Sequence, residues 1–206
     1  MSTKGIFDAF ADKYDGWYVR HEALYKSELN AASSFECRGG LEVGVGTGRF
    51  AAPLGLRAGV DPSTAMLRRA PKDLDLVAAV GESLPFRDRA FPCVLIVVTL
   101  CFADDPVALI AEASRVAERV IACIVPRDSP WGVRYRREGE LGHPFYSRAR
   151  FYTVSEVVQF GARAGMKLSS ISATLKGEEE REYPVESPGL DEAEHYGFVC
   201  IELKKA

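Results

Sequence analysis

The sequence predicts an α/β fold built on a mostly parallel sheet, and three observations carry that prediction. Short runs rich in Val and Ile alternate with amphipathic segments, the pattern of strands buried on both faces and covered by helices. Three alternating glycines, Gly44, Gly46 and Gly48, directly follow the first of these runs. An acid, Asp61, ends the second.

The elements follow in order. Residues 1–36 lack strand-like runs and read as a helical lid with scattered aromatics, among them Tyr14 and Tyr18. Leu41 to Gly44 and Leu56 to Val60 are then predicted strands, joined by a crossover in which Pro53 and Gly55 leave little room for a long helix. Ser63 to Ala70 opens on Asp-Pro-Ser, a helix-start signal. Leu74 to Val80, Phe91 to Leu100 and Arg119 to Val125 are further buried strands, and Asp105 to Ala117 places Leu109, Ala113 and Val116 on one helical stripe. Pro126 to Tyr152 interrupts the alternation and is expected to form a cap, residues 126–152, inserted after the fifth strand. Thr153 to Ala164 reads as the last long helix. Met166 to Leu175 and Phe198 to Leu203 follow with no helix pattern between them, so they should pair antiparallel. Their acidic connector, Lys176 to Tyr196, is expected to be a solvated loop or frayed hairpin.

The length of 206 residues suits one domain, 1–206, with a sizeable core. A formal net charge of -3 removes the whole-molecule electrostatic footprint of a nucleic-acid binder, although a local basic patch is compatible with it. The longest stretch without a formal charge, Ala90 to Ala103, is shorter than the roughly 18 apolar residues needed to span a bilayer. Lys4, Asp8, Asp12 and Lys13 break up any apolar region at the start, which argues against a signal peptide and for the cytoplasm. The five cysteines are odd in number and far apart, so they read as buried thiols rather than as disulfides or a zinc site. Three scattered histidines add no metal ligand set.

The chemistry concentrates around Leu41-Glu42-Val43-Gly44-Val45-Gly46-Thr47-Gly48-Arg49-Phe50. Glycine permits both the positive φ of a tight strand-to-helix turn and the close approach of a ligand to the backbone. A dinucleotide fingerprint would place a small residue where Arg49 stands, which argues against a nicotinamide cofactor. Glu42, two residues before the first glycine, instead suits a ligand carrying an ammonium group. Asp61, seventeen residues after Gly44, is placed at a strand tip to accept both hydroxyls of a ribose. Its replacement is expected to weaken the ligand and spare the fold.

On these residues the sequence resembles the class I S-adenosylmethionine-dependent methyltransferases, in particular the small-molecule branch that includes ubiquinone and menaquinone methyltransferases. The resemblance runs from about Phe7 to Met166 through "FDAFADKYDGWY", "LEVGVGTGRF", "GVDPSTAMLRRA", "GESLPFRDRAF" and "ALIAEASRV". It implies a Rossmann-like sheet of seven strands ending in an antiparallel hairpin. It also implies that Glu42, Gly44 and Gly46 hold the methionine end of the cofactor, that Asp61 binds its ribose, and that Pro62 and the turn of Gly81, Glu82 and Ser83 flank the adenine. Tyr14 aligns with a tyrosine that closes over the methionine moiety. The sequence departs from the family where Val80 replaces a common acid, where Phe91-Pro92-Cys93 stands in place of a Phe-Asp before the fourth strand, and where Glu118 and Arg119 replace a Gly-Gly turn before the fifth.

The implied reaction is in-line (SN2) transfer of a methyl group to a small-molecule acceptor, with S-adenosylhomocysteine as product and no metal required. Alternatives are a cofactor-binding protein without turnover and an RNA-directed methyltransferase. Thr99, at the end of the fourth strand, is expected to face the cofactor. If the acceptor must lose a proton, Tyr14, His143 and Tyr146 are the candidate groups. Arg127, Arg134, Arg136, Arg137, Arg148 and Arg150 give the cap local positive charge, read first as a solvated face. The sequence leaves the acceptor and the oligomeric state open.

Overall fold

A computed structural model describes residues 2–206. Seven strands form one sheet: β1 (Leu41–Val43), β2 (Ala58–Val60), β3 (Asp75–Val77), β4 (Val94–Val97), β5 (Arg119–Ile124), β6 (Met166–Thr174) and β7 (Phe198–Lys205). Their spatial order is β3-β2-β1-β4-β5-β7-β6. The first five are parallel, and β7 runs antiparallel between β5 and β6. Because β1 lies between β2 and β4, the strand order reverses beside it, opening a crevice at the carboxyl ends of β1, β2 and β4.

Side-chain alternation sends successive residues into two cores. Leu41, Val43, Val94, Ile96, Val120 and Ala122 pack on one face against α4 (Pro106–Val116) and α6 (Val154–Arg163). Leu95, Val97, Ile121 and Cys123 point to the other face, toward α2 (Glu22–Ser33) and the cap helix α5 (Pro130–Glu140). Two short helices, α3 (Thr64–Leu67) and α7 (Leu190–Ala193), complete the set with α1 (Thr3–Arg20). The crossover from β1 to β2 holds only turns, as Pro53 and Gly55 predict.

Helix α1 is fastened across the crevice by three aspartates spaced at i, i+4 and i+7, hence on one face. Asp8 accepts from the Ser63 hydroxyl at 2.6 Å, and Asp12 receives a bidentate pair from Arg69 at 2.7 and 3.0 Å. Asp15 accepts from Thr47 Oγ1 at 2.7 Å and Arg49 Nε at 2.8 Å. Lys4 and then Ser63 hold the Asp8 carboxyl below its usual range, Arg69 does so for Asp12, and Arg49 does so for Asp15.

Two sequence expectations are corrected. Four of the five cysteines form disulfides, Cys37–Cys93 and Cys123–Cys200, leaving Cys101 as the free thiol among the described residues. Cys123 and Cys200 are register partners on β5 and β7, so a separation of 77 residues in sequence becomes direct opposition in the sheet. The acidic connector between β6 and β7 is also more ordered than its composition implies. Tyr196 is completely buried there, its hydroxyl donating to Glu186 Oε2 at 2.7 Å, and Glu186 forms a bridge with Ala173.

Candidate functional site

The glycine turn after β1 builds the floor of the crevice. Gly44 and Gly46 have φ of +75° and +53°, conformations that side-chain-bearing residues rarely adopt. A side chain at Gly44 would collide with Thr99, and a Cβ at Gly46 would lie 3.1 Å from Met66 Cε. Asp61, at the end of β2, ties this turn to the start of α3: Gly46 N donates to its Oδ2 at 3.0 Å and Ser63 N to its Oδ1 at 2.8 Å. Burial raises the Asp61 carboxyl above its usual value despite these two amides.

A cavity of about 470 Å³ occupies the crevice. Eight of the ten cofactor candidates line it: Tyr14, Gly44, Gly46, Asp61, Pro62, Gly81, Glu82 and Thr99. The other two do not. Ser83 lies off the wall, on a loop that α4 pulls toward the core: Glu112 accepts from Leu84 N at 2.8 Å, and Arg115 donates to the carbonyls of Leu84 and Phe86. Glu42 lies beneath the turn, 2% exposed, with Oε2 lacking any hydrogen-bond partner. Burial, opposed by the Ala51 amide, lifts its carboxyl well above the usual range. The Glu82 carboxylate accepts from the amides of Asp104 and Asp105, bracing the rim. Phe7, Met66, Val80, Phe102 and Arg148 also line this cavity; the sequence marked Val80 as a departure from the family and Arg148 as part of the basic cap.

A second cavity of about 130 Å³ lies between the lid and the cap and shares Tyr14, Val98 and Phe102 with the first. Val98 carries the strain of this junction: a β-branched residue at φ +46° is a genuine outlier, held by the hydrogen bond its N–H donates to Cys123 O at 2.8 Å. The walls are aromatic, with Trp17, Tyr18, Tyr135, Phe145, Tyr146 and Phe151. Tyr146 is stacked between His143 and Tyr135, with ring centroids 4.2 and 4.3 Å away.

His143 and Tyr146 thus face this second cavity, and Tyr14 belongs to both. The Tyr14 and Tyr18 hydroxyls are 2.9 Å apart. Burial pushes the Tyr14 and Tyr146 phenols up, keeping both protonated at neutral pH. Burial also lowers His143, and its Nδ1 accepts from Tyr146 N at 3.4 Å, which assigns the proton of the neutral ring to Nε2. All three therefore present donors rather than bases. The carboxylate on this wall is Glu28, which the sequence reading missed. Its signal was available: Leu24, Ser27, Glu28, Ala31 and Ala32 are the buried stripe of α2, so an acid stands at a core position.

A family model described as a methyltransferase domain matches residues 41–120. A solved structure from Thermotoga maritima, described as a SAM-dependent methyltransferase and possible histamine N-methyltransferase, is 34% identical. The alignment covers 99% of this chain and all of that one, with a TM-score of 0.90. The chain belongs to the SAM-dependent methyltransferases. Its cofactor is S-adenosylmethionine, and the sheet order above is the Rossmann-like order of that fold. An uncharacterized protein of Methanocaldococcus jannaschii is 38% identical over 97% of this methyltransferase and 98% of its own length. An uncharacterized protein of Mycobacterium tuberculosis is 38% identical over 174 residues, and the chain spans 61% of that relative's length. Among the described residues no helix is long and apolar enough to cross a membrane, and no cluster of acidic, histidine or cysteine side chains could hold a metal ion.

Proposed function

We propose that this methyltransferase acts on a small-molecule acceptor seated in the aromatic cavity between lid and cap, as in the small-molecule branch its motifs resemble. The observation that carries this reading is the shared wall of Tyr14, Val98 and Phe102, where the two cavities meet. The smaller cavity suits a compact ligand, and the net charge of -3 offers no long-range attraction to a nucleic acid.

The residues present fit the cofactor. The first cavity combines backbone-exposing glycines with a carboxylate at the tip of β2, and the orphaned Glu42 Oε2 lies under the same turn. In our reading Asp61 accepts from the ribose hydroxyls, Gly44 and Gly46 let the methionine end approach the backbone, and Glu42, whose Oε2 lacks a donor, favours the ammonium group from beneath the turn. Pro62, Gly81 and Glu82 border the adenine, while Ser83 acts only through the loop it shares with them. When bound, the cofactor supplies a methyl group already activated by the sulfonium. Tyr14 closes the methionine end and, through its bond to Tyr18, orients the wall between the cavities. The lid and the aromatic walls exclude water, and Thr99 fixes the floor against Gly44. His143 and Tyr146 line the acceptor cavity as neutral groups and do not take the acceptor's proton.

A cytoplasmic location remains part of this proposal. Buried disulfides are compatible with it, since intracellular proteins of hyperthermophiles carry them. The test is a screen of amines, phenols and carboxylic acids with labelled S-adenosylmethionine; the description of the Thermotoga relative puts histamine among the amines. Label in a small molecule is the expected result. Label found only in RNA or protein, or failure to bind S-adenosylhomocysteine, would overturn the reading.

A further inference from the structure

Glu28 is 7% exposed and sits on the wall of the aromatic cavity. Among the described residues its carboxyl has no hydrogen bond and no ion pair, so it meets the cavity without a protein partner. As an anion such a group is costly unless a cation completes it, and without one burial keeps it largely protonated. The charged groups that share the cavity do not complete it. Lys13 and Arg20 are exposed at its mouth and form no ion pair with Glu28, and His143 is held neutral by its own burial. The remaining titratable neighbours, Tyr14, Tyr18, Tyr135, Tyr146 and Cys101, are neutral at physiological pH because burial raises each of them.

An acid that shares a cavity with Trp17, Tyr18, Tyr135 and Tyr146 is the chemistry that recognises an organic cation: the ionised acid supplies the counter-charge and aromatic faces supply quadrupole attraction. We propose that the acceptor is a small protonated amine, anchored by Glu28 inside the aromatic cavity and methylated on nitrogen. This rests on the small-molecule reading above. Glu28 takes the ammonium proton, and the freed nitrogen lone pair forms the N–C bond while the C–S bond of the sulfonium breaks with its electron pair left on sulfur. The products are the methylated ammonium ion and S-adenosylhomocysteine, and the proton on Glu28 returns to water. Burial sets Glu28 at about 8, which suits a group that must first be an anion and then hold a proton.

The experiment uses three probes of one shape and different charge: 2-phenylethylamine, 2-phenylethanol and phenylacetate. Each is titrated by calorimetry into the full chain saturated with S-adenosylhomocysteine. The amine is expected to bind at least tenfold more tightly than the other two. Its affinity should rise roughly tenfold per pH unit between pH 6 and 7.5, as Glu28 ionises, and level off above pH 8. Glu28→Gln should abolish the preference and the pH slope while leaving S-adenosylhomocysteine affinity unchanged, and Glu28→Asp should retain the preference. Tighter binding of phenylacetate would assign the cavity to an anion held by Lys13 and Arg20, and would overturn the proposal. Equal or undetectable binding of all three, or an amine preference that survives Glu28→Gln, would do the same. If the labelled-donor screen methylates a neutral or anionic small molecule, this inference fails and the small-molecule reading stands; label confined to RNA or protein sinks both.

Discussion

Replacing Asp61 separates two jobs that the sequence assigned as one. The carboxylate is 9% exposed, and both oxygens are already engaged by amides, Gly46 N at 3.0 Å and Ser63 N at 2.8 Å. Gly46 and Ser63 are themselves buried, so Asp61→Ala leaves two amides without their protein acceptor, with only cavity water to replace it. Each stranded donor costs about 1–3 kcal/mol, partly offset because a buried carboxylate no longer has to be desolvated. A net loss of about 2–4 kcal/mol is expected, equivalent to a fall in Tm of roughly 5–15 °C for a chain of this size. The expectation that the fold would be spared is therefore revised. Asp61→Asn keeps one acceptor and should lose about half as much. On the proposed ribose contact both variants lose charge-assisted bonds, so S-adenosylhomocysteine should bind about 100-fold more weakly to Asp61→Ala. Calorimetric melting without ligand reads the strut, and titration well below the new Tm reads the ligand contact. An unchanged Tm would refute the strut; an unchanged Kd would refute the ribose role.

The disulfides predict that aerobically purified protein, unfolded in guanidinium without reductant, shows one reactive thiol, Cys101, and five after reduction. The closed loops are separate in sequence, and loop-closure entropy assigns roughly 4 kcal/mol to each, so reduction should lower Tm by about 10 °C or more; five thiols before reduction would refute the pairing. Glu28, lifted by burial from an ordinary 4.5 to about 8, binds a proton in the folded protein that the unfolded chain has already lost, so wild-type stability should fall as pH rises from 4.5 to 8. At about 1.4 kcal/mol per pH unit the effect is on the order of 4–5 kcal/mol, and a difference between wild type and Glu28→Gln that is flat across this range would contradict it. The aspartates that fasten α1 have the opposite sign: their lowered pKa values keep the lid contacts in full above about pH 4 and release them below it. Proteolysis within α1 should accelerate below that pH and, at neutral pH, in Asp15→Ala, which deprives Thr47 and Arg49 of a shared partner; equal cleavage rates would argue that aromatic packing alone holds the lid.

The sequence by itself determined the fold class, the order of the strands along the chain, the glycine turn and the acid at the end of β2. These are local properties: apolar alternation, turn chemistry and a fixed offset along one β-turn-β unit are all written in neighbouring residues. The short crossover after β1 was legible for the same reason, as Pro53 and Gly55 act on their own backbone. What only the tertiary structure decided are relations between distant segments. Register set Cys123 against Cys200, and burial of α2 turned Glu28 from one acid among many into an unpartnered wall of the second cavity. Packing against α4 drew Ser83 away from the crevice while leaving Gly81 and Glu82 on its rim. Pairing, desolvation and the direction a side chain takes depend on which surfaces meet across the sheet, and no residue carries that information in its own neighbourhood.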